Sequence, residues 1–235
     1  LFAEATGKTV ALDIPAFFID GLRPILQGEV SLHSVVTKKR VAFSRDVLKQ
    51  PTLTWLYPQL QACFPEARCL MIVRDPRDNI RSVFNRMDIS GWPSDLTSEE
   101  REAIHPGWKW HFTEPELLGL AQGTHIELSA KRWNLAVDMY LRHKEQMILI
   151  RYEDFMADRV AFIERLADVL GIQVVKDITP QVDRQFQPRG SDRGRSWDEF
   201  FGCGNLAKIM ELCGSRMRLL GYDIDCAEPS YRCHC

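Results

Sequence analysis

The chain has 235 residues, 45% of them apolar and 26% charged, and carries a net charge of −2 at pH 7. Those values fit one ordinary globular domain with material for a sizeable core, and they exclude a global field that would draw nucleic acid or an anionic membrane. Any anion site must therefore be local, and no apolar run approaches the ~18 residues of a membrane span.

The chain opens LFAEATGKTV. Residues 5–9, ATGKT, look like the tail of a phosphate-binding loop, G-x-x-x-x-G-K-[ST]. Phe2 stands where that motif needs its first glycine, and KTVALD reads as a strand, not as a departing helix. A polar turn leading into a strand is expected instead. The first residue is Leu, so further residues are expected upstream. Strands are predicted over 8–13, 40–44, 67–73 and 146–150. The last two are nearly all apolar, the pattern of strands buried on both faces. A helix is predicted from Pro58, where proline suits a first turn. Further helices are predicted over 128–143, 158–170 (Asp158 as N-cap, Gly171 as stop) and 204–220, from their apolar spacing. Strands alternating with helices predict a parallel α/β sheet.

The seven cysteines are Cys63, Cys69, Cys203, Cys213, Cys226, Cys233 and Cys235. An odd count, with several in apolar segments, predicts reduced thiols in a reducing, cytoplasmic setting. The terminal Cys-His-Cys lacks a partner cluster, so no metal site is expected there. Two long irregular stretches break the pattern. Residues 88–125 are rich in Trp, Pro and Gly, with one short helix announced by the capping box Thr97-x-x-Glu100. Residues 183–202 are polar and basic. Such segments in a compact domain are usually functional or mobile.

The most informative run is CLMIVRDPRDNIRSVFNRM, residues 69–87. A strand ends at Val73. Arg74 follows, then Asp75 as N-cap, Pro76 at the first helical position and Asp78 in the first turn. Ligands of parallel sheets bind beyond the carboxyl ends of strands, where helix N-termini face anions. Ile80, Val83, Phe84 and Met87 form the core face, which leaves Ser82 pointing away from it. Arg74 and Ser82 suit a phosphate, one as a planar charged fork and the other as a hydroxyl. Arg74 could equally pair with a neighbouring carboxylate.

This run resembles the 3′-phosphate motif of sulfotransferases, the enzymes that use 3′-phosphoadenosine 5′-phosphosulfate. FPEARCLMIVRDPRD, RWNLAVDMY followed by ILIRYEDF, and a late LGY are similar to family motifs and stand in the family's order. The resemblance covers about residues 38–222. It implies an α/β domain with a P-loop NTPase-like parallel sheet, residues 88–125 forming an aromatic-rich cap toward a small-molecule or glycan acceptor, and no metal. Arg74 and Ser82 would hold the 3′-phosphate, and Tyr152 would contact the adenine. The basic loop, with Arg189, Arg193 and Gly194, resembles the family's lid over that phosphate, although Trp197 sits one residue late. Lys49 falls where the family has a lysine that stabilises charge on the transferred group. The places where the family often carries its base hold Leu48 and Pro51, so Asp46 is the nearest candidate, ahead of His33, His105 and His111.

The family's 5′-phosphosulfate loop is expected upstream of Leu1, together with a central strand. The residues in hand are then expected to grip only the 3′-phosphate half, with the product adenosine 3′,5′-bisphosphate as the natural probe. Two other readings remain open. A P-loop-type small-molecule kinase would need Mg²⁺ held by a strand-end aspartate such as Asp75. A degenerate, non-catalytic nucleotide-binding module would need no loop at all.

Overall fold

The computed structural model describes residues 1–183 and 194–224. Its helices are α1 (Phe2–Ala5), α2 (Ile19–Leu26), α3 (Leu32–Lys38), α4 (Arg40–Phe43), α5 (Tyr57–Cys63), α6 (Pro76–Met87), α7 (Ser98–Ala103), α8 (Pro106–Thr113), α9 (His125–Arg142), α10 (Tyr152–Ala157), α11 (Arg159–Leu170) and α12 (Trp197–Leu219). The strands are β1 (Val10–Leu12), β2 (Val47–Lys49), β3 (Cys69–Val73) and β4 (Met147–Arg151). Both strand pairs are parallel, β1 with β2 and β3 with β4, which gives an α/β arrangement of helices and small parallel sheets. The described residues divide into two compact units, 1–73 with 139–183 and 74–138 with 194–224.

The first unit carries both strand pairs. ATGKT is a turn: Gly7 takes φ +65°, and the chain then enters β1. Two strand expectations need correction. Residues 40–44 are not a strand, because Arg40–Phe43 forms the short helix α4. Phe43 is buried between Phe17 and Phe64, each 6.0 Å away between ring centres, while Val41 is 69% exposed. A strand would put these two side chains on one face, and a helical turn separates them. The strand of this region is β2, three residues later, too short to announce itself by apolar pattern. The second correction concerns β3, which is not covered on both faces. Val73 is buried, but Leu70 and Ile72 are 38% and 61% exposed. They alternate onto a single face, and β3 has β4 as its one strand neighbour among the described residues.

Local end signals hold elsewhere in this unit. Asp158 caps α11 by accepting from the Ala161 amide at 3.0 Å, and Gly171 closes the helix at φ +66°. Helix α5 begins at Tyr57 with proline in its first turn.

The second unit packs helices around α6. Ile80, Phe84 and Met87 are buried, as the helical spacing requires, while Val83 is half-buried. The Phe84 ring meets Phe112 of α8 at 6.5 Å, His125 of α9 at 5.2 Å and Phe201 of α12 at 6.4 Å. Residues 88–125 hold more helix than expected, with α7 and α8 both present. The capping box at Thr97 and Glu100 forms in both directions, at 3.2 and 2.7 Å. Within this stretch Trp110 and Phe112 belong to the core, Trp108 is half-buried, and Trp92 is exposed.

Candidate functional site

The exit from β3 is held firmly within the second unit. The Trp133 indole donates to the Arg74 carbonyl at 2.9 Å, which fixes the backbone where the strand gives way to α6. Asp75 caps that helix by accepting from the Arg77 amide at 2.9 Å. Its carboxylate also takes two bonds from the Arg77 guanidinium, Nε to Oδ1 at 2.9 Å and Nη2 to Oδ2 at 2.6 Å. Arg77 donates onward to the Asp223 carbonyl at 3.0 Å and lies 3.7 Å from the centre of the Trp197 ring. Both members of the ion pair are almost fully buried, so they hold the first turn of α6 in place rather than meet a ligand. Asp75, which phosphoryl transfer would give to a metal, has both oxygens engaged by Arg77.

The partly exposed side of α6 carries the groups that could meet an anion. Arg74 reaches the Asp78 carboxylate at 3.5 Å. Asp78 also accepts from Arg81 at 2.6 Å and from the Trp197 indole at 2.9 Å. Three donors therefore set the position of Asp78, which in turn steers the Arg74 fork. Ser82, one turn beyond Asp78, is exposed. The end of the basic segment is tied to the same helix, since Arg81 also donates to the Arg195 carbonyl at 2.9 Å. Gly194, just ahead of it, takes φ +99°, and no atom lies within 4 Å of where a Cβ would stand. Arg189 and Arg193 lie outside the described residues.

The remaining predicted residues belong to the first unit. Asp46 is exposed and accepts from the Thr9 hydroxyl at 2.6 Å and the Thr9 amide at 2.8 Å. Those two bonds hold its carboxyl below the usual carboxylate range and join the approaches to β1 and β2. Lys49, at the end of β2, pairs with Asp13 at 2.9 Å, with both side chains more than half exposed. Tyr152 opens α10 directly after β4 and is half-buried. Val73 pairs with Arg151, so β3 and β4 end at the same level.

Sequence reasoning missed two residues here. Arg77 lay in plain view within RDPRD, where a charge two places after a capping aspartate is a usable signal. Trp197 was noticed only for its spacing, and its bonds to α6 span more than a hundred residues. Among the described residues no cluster of three metal-ligating side chains forms.

The chain thus joins parallel strand pairs to helices, with an arginine and a capped helix at the exit of β3. The sequence profile of the sulfotransferase family matches residues 13–177, well over half of the chain. The chain belongs to the sulfotransferase family. No curated protein and no solved structure matches it.

Proposed function

We propose that the protein transfers a sulfonate group from 3′-phosphoadenosine 5′-phosphosulfate to a hydroxyl or amine of a small-molecule or glycan acceptor, on a P-loop NTPase-like domain. One observation carries the reading beyond family membership. The end of the basic segment is fastened to α6 through Arg195 and Trp197, on the helix that follows Arg74 and bears Ser82. A lid over a phosphate needs that attachment.

In this reading Arg74 and Ser82 grip the 3′-phosphate by charge-assisted hydrogen bonds. Asp78 keeps the Arg74 fork oriented before the nucleotide arrives. Arg189, Arg193 and Gly194 close over the same phosphate, and Tyr152 lies along the adenine. Lys49 exchanges Asp13 for the sulfonyl or bridging oxygen as the S–O bond breaks. Asp46 accepts the acceptor's proton, and the attacking oxygen or nitrogen displaces the bisphosphate in line. The Asp46 assignment asks most of the geometry, because a carboxylate already holding two hydrogen bonds is a weak base.

Titration calorimetry with adenosine 3′,5′-bisphosphate tests the reading. Arg74→Ala should weaken binding by about 1.5–3 kcal/mol, about 10- to 150-fold in Kd. Equal affinity in the two proteins would remove the phosphate assignment. A wild-type protein that binds no bisphosphate would remove the donor assignment altogether.

A further inference from the structure

Trp197 uses two parts of its side chain on two different partners. Its indole N–H donates to Asp78 Oδ1 at 2.9 Å, and its ring lies 3.7 Å from the Arg77 guanidinium. Arg77 is itself fixed by Asp75 and by the Asp223 carbonyl, so the ring rests on a cation that is already held. The backbone is tied down as well, because Ser196 just before it donates its amide to Glu199 at 2.7 Å at the start of α12. Half-buried and fastened in this way, the indole presents its N–H in one direction.

The two oxygens of Asp78 are used differently. Oδ1 accepts both short bonds, from Trp197 and from Arg81 at 2.6 Å. Oδ2 faces Arg74 at 3.5 Å. That is longer than the about 2.7–2.9 Å of a tight charge-assisted bond, so Asp78 aims the guanidinium without saturating it, and a phosphate oxygen can approach more closely than the carboxylate does. The donors on Oδ1 also offset carboxylate charge that would otherwise repel an anion at Arg74. An arginine aimed before its ligand arrives loses less conformational freedom on binding. The aim depends on Oδ1 staying where it is. The two oxygens of a carboxylate are rigidly joined, so moving one moves the other.

We infer that Trp197 is a positioning residue for the phosphate grip: by fixing Oδ1 of Asp78 it sets Oδ2, and through Oδ2 the direction of the Arg74 guanidinium. The steering of Arg74 is thereby traced past Asp78 to a residue 119 positions later in the chain. The inference rests on the sulfotransferase reading for the identity of the nucleotide, but not for the link among the three side chains.

Trp197→Phe keeps a ring over Arg77 and removes the N–H. Two readouts separate positioning from support of the fold. The first needs no ligand: modification of arginines by phenylglyoxal, followed residue by residue by mass spectrometry. Arg74 should react roughly threefold faster or more in Trp197→Phe than in wild type. Arg45, exposed in the first unit, and Arg216, paired with Asp138, should keep their rates. An unchanged Arg74 rate, or an equal rise at all three arginines, would overturn the inference. The second readout is titration calorimetry with adenosine 3′,5′-bisphosphate. Trp197→Phe should weaken binding about three- to tenfold, and the same change made on top of Arg74→Ala should cost no more than about twofold further. Full additivity would overturn the inference, since Trp197 would then act without Arg74. If Trp197→Phe does not fold, Asp78→Asn decides by the same arginine mapping: a faster Arg74 supports the aim, and an equal rate overturns it. A wild type that binds no bisphosphate would sink the sulfotransferase reading alone, and the modification rates would still decide the positioning.

Discussion

Replacing Arg77 with methionine removes one half of a buried ion pair while keeping most of the side chain's volume. The two side chains are 4% and 9% exposed, and the Arg77 guanidinium donates two hydrogen bonds to the Asp75 carboxylate, beside the one from the Arg77 amide. Breaking such a pair from one side typically costs about 3–5 kcal/mol, because the surviving charge stays buried. Losing the stack on Trp197 adds roughly 0.5–1 kcal/mol, and methionine's apolar contacts return a similar amount. The expected loss is about 3 kcal/mol, on the order of a hundredfold in the folding equilibrium. Asp75→Asn keeps the helix cap but not the charge. The double variant should therefore recover about 2 kcal/mol relative to the sum of the single changes. Urea unfolding followed by tryptophan fluorescence measures all three, with Trp197 as a local reporter. A loss below about 1 kcal/mol for Arg77→Met, or strict additivity in the cycle, would refute the claim that this pair holds the first turn of α6.

Two further outcomes are expected. His111 and His125 both titrate below the usual 6.5 in the folded protein, chiefly through burial, so the unfolded chain takes up protons first as pH falls. Their contribution to stability is complete above about pH 6.5 and declines below it. Unfolding free energies measured between pH 8 and pH 5 should therefore fall on the acid side, and a flat or rising profile would contradict the buried neutral state. Asp46→Asn should lower sulfonate transfer by about 10²–10⁴-fold if the carboxylate takes the acceptor's proton, with bisphosphate affinity unchanged. An unaltered turnover rate would leave Asp46 only its clamp on Thr9.

Much of the local architecture was legible in the sequence. Asp75 and Pro76, Thr97 and Glu100, and Asp158 and Gly171 mark their helix ends through interactions that span a few residues, so neighbouring positions suffice to read them. The same is true of the apolar face of α6, because Ile80, Phe84 and Met87 follow from helical geometry alone. Family membership was also readable, since ordered motifs survive without any knowledge of packing.

Tertiary structure decided the rest. RVAFS has the composition of a strand, yet Phe43 needed a place between two other rings and Val41 did not, so the backbone coiled. MIV looks like an interior strand, but whether Ile72 is covered depends on elements remote in the chain. Arg77 meets the Asp223 carbonyl 146 positions away, and the Trp197 indole meets Asp78 across 119. Short-range hydrogen bonds are encoded where they are made, whereas burial and charge pairing depend on which distant surfaces the folded chain brings together.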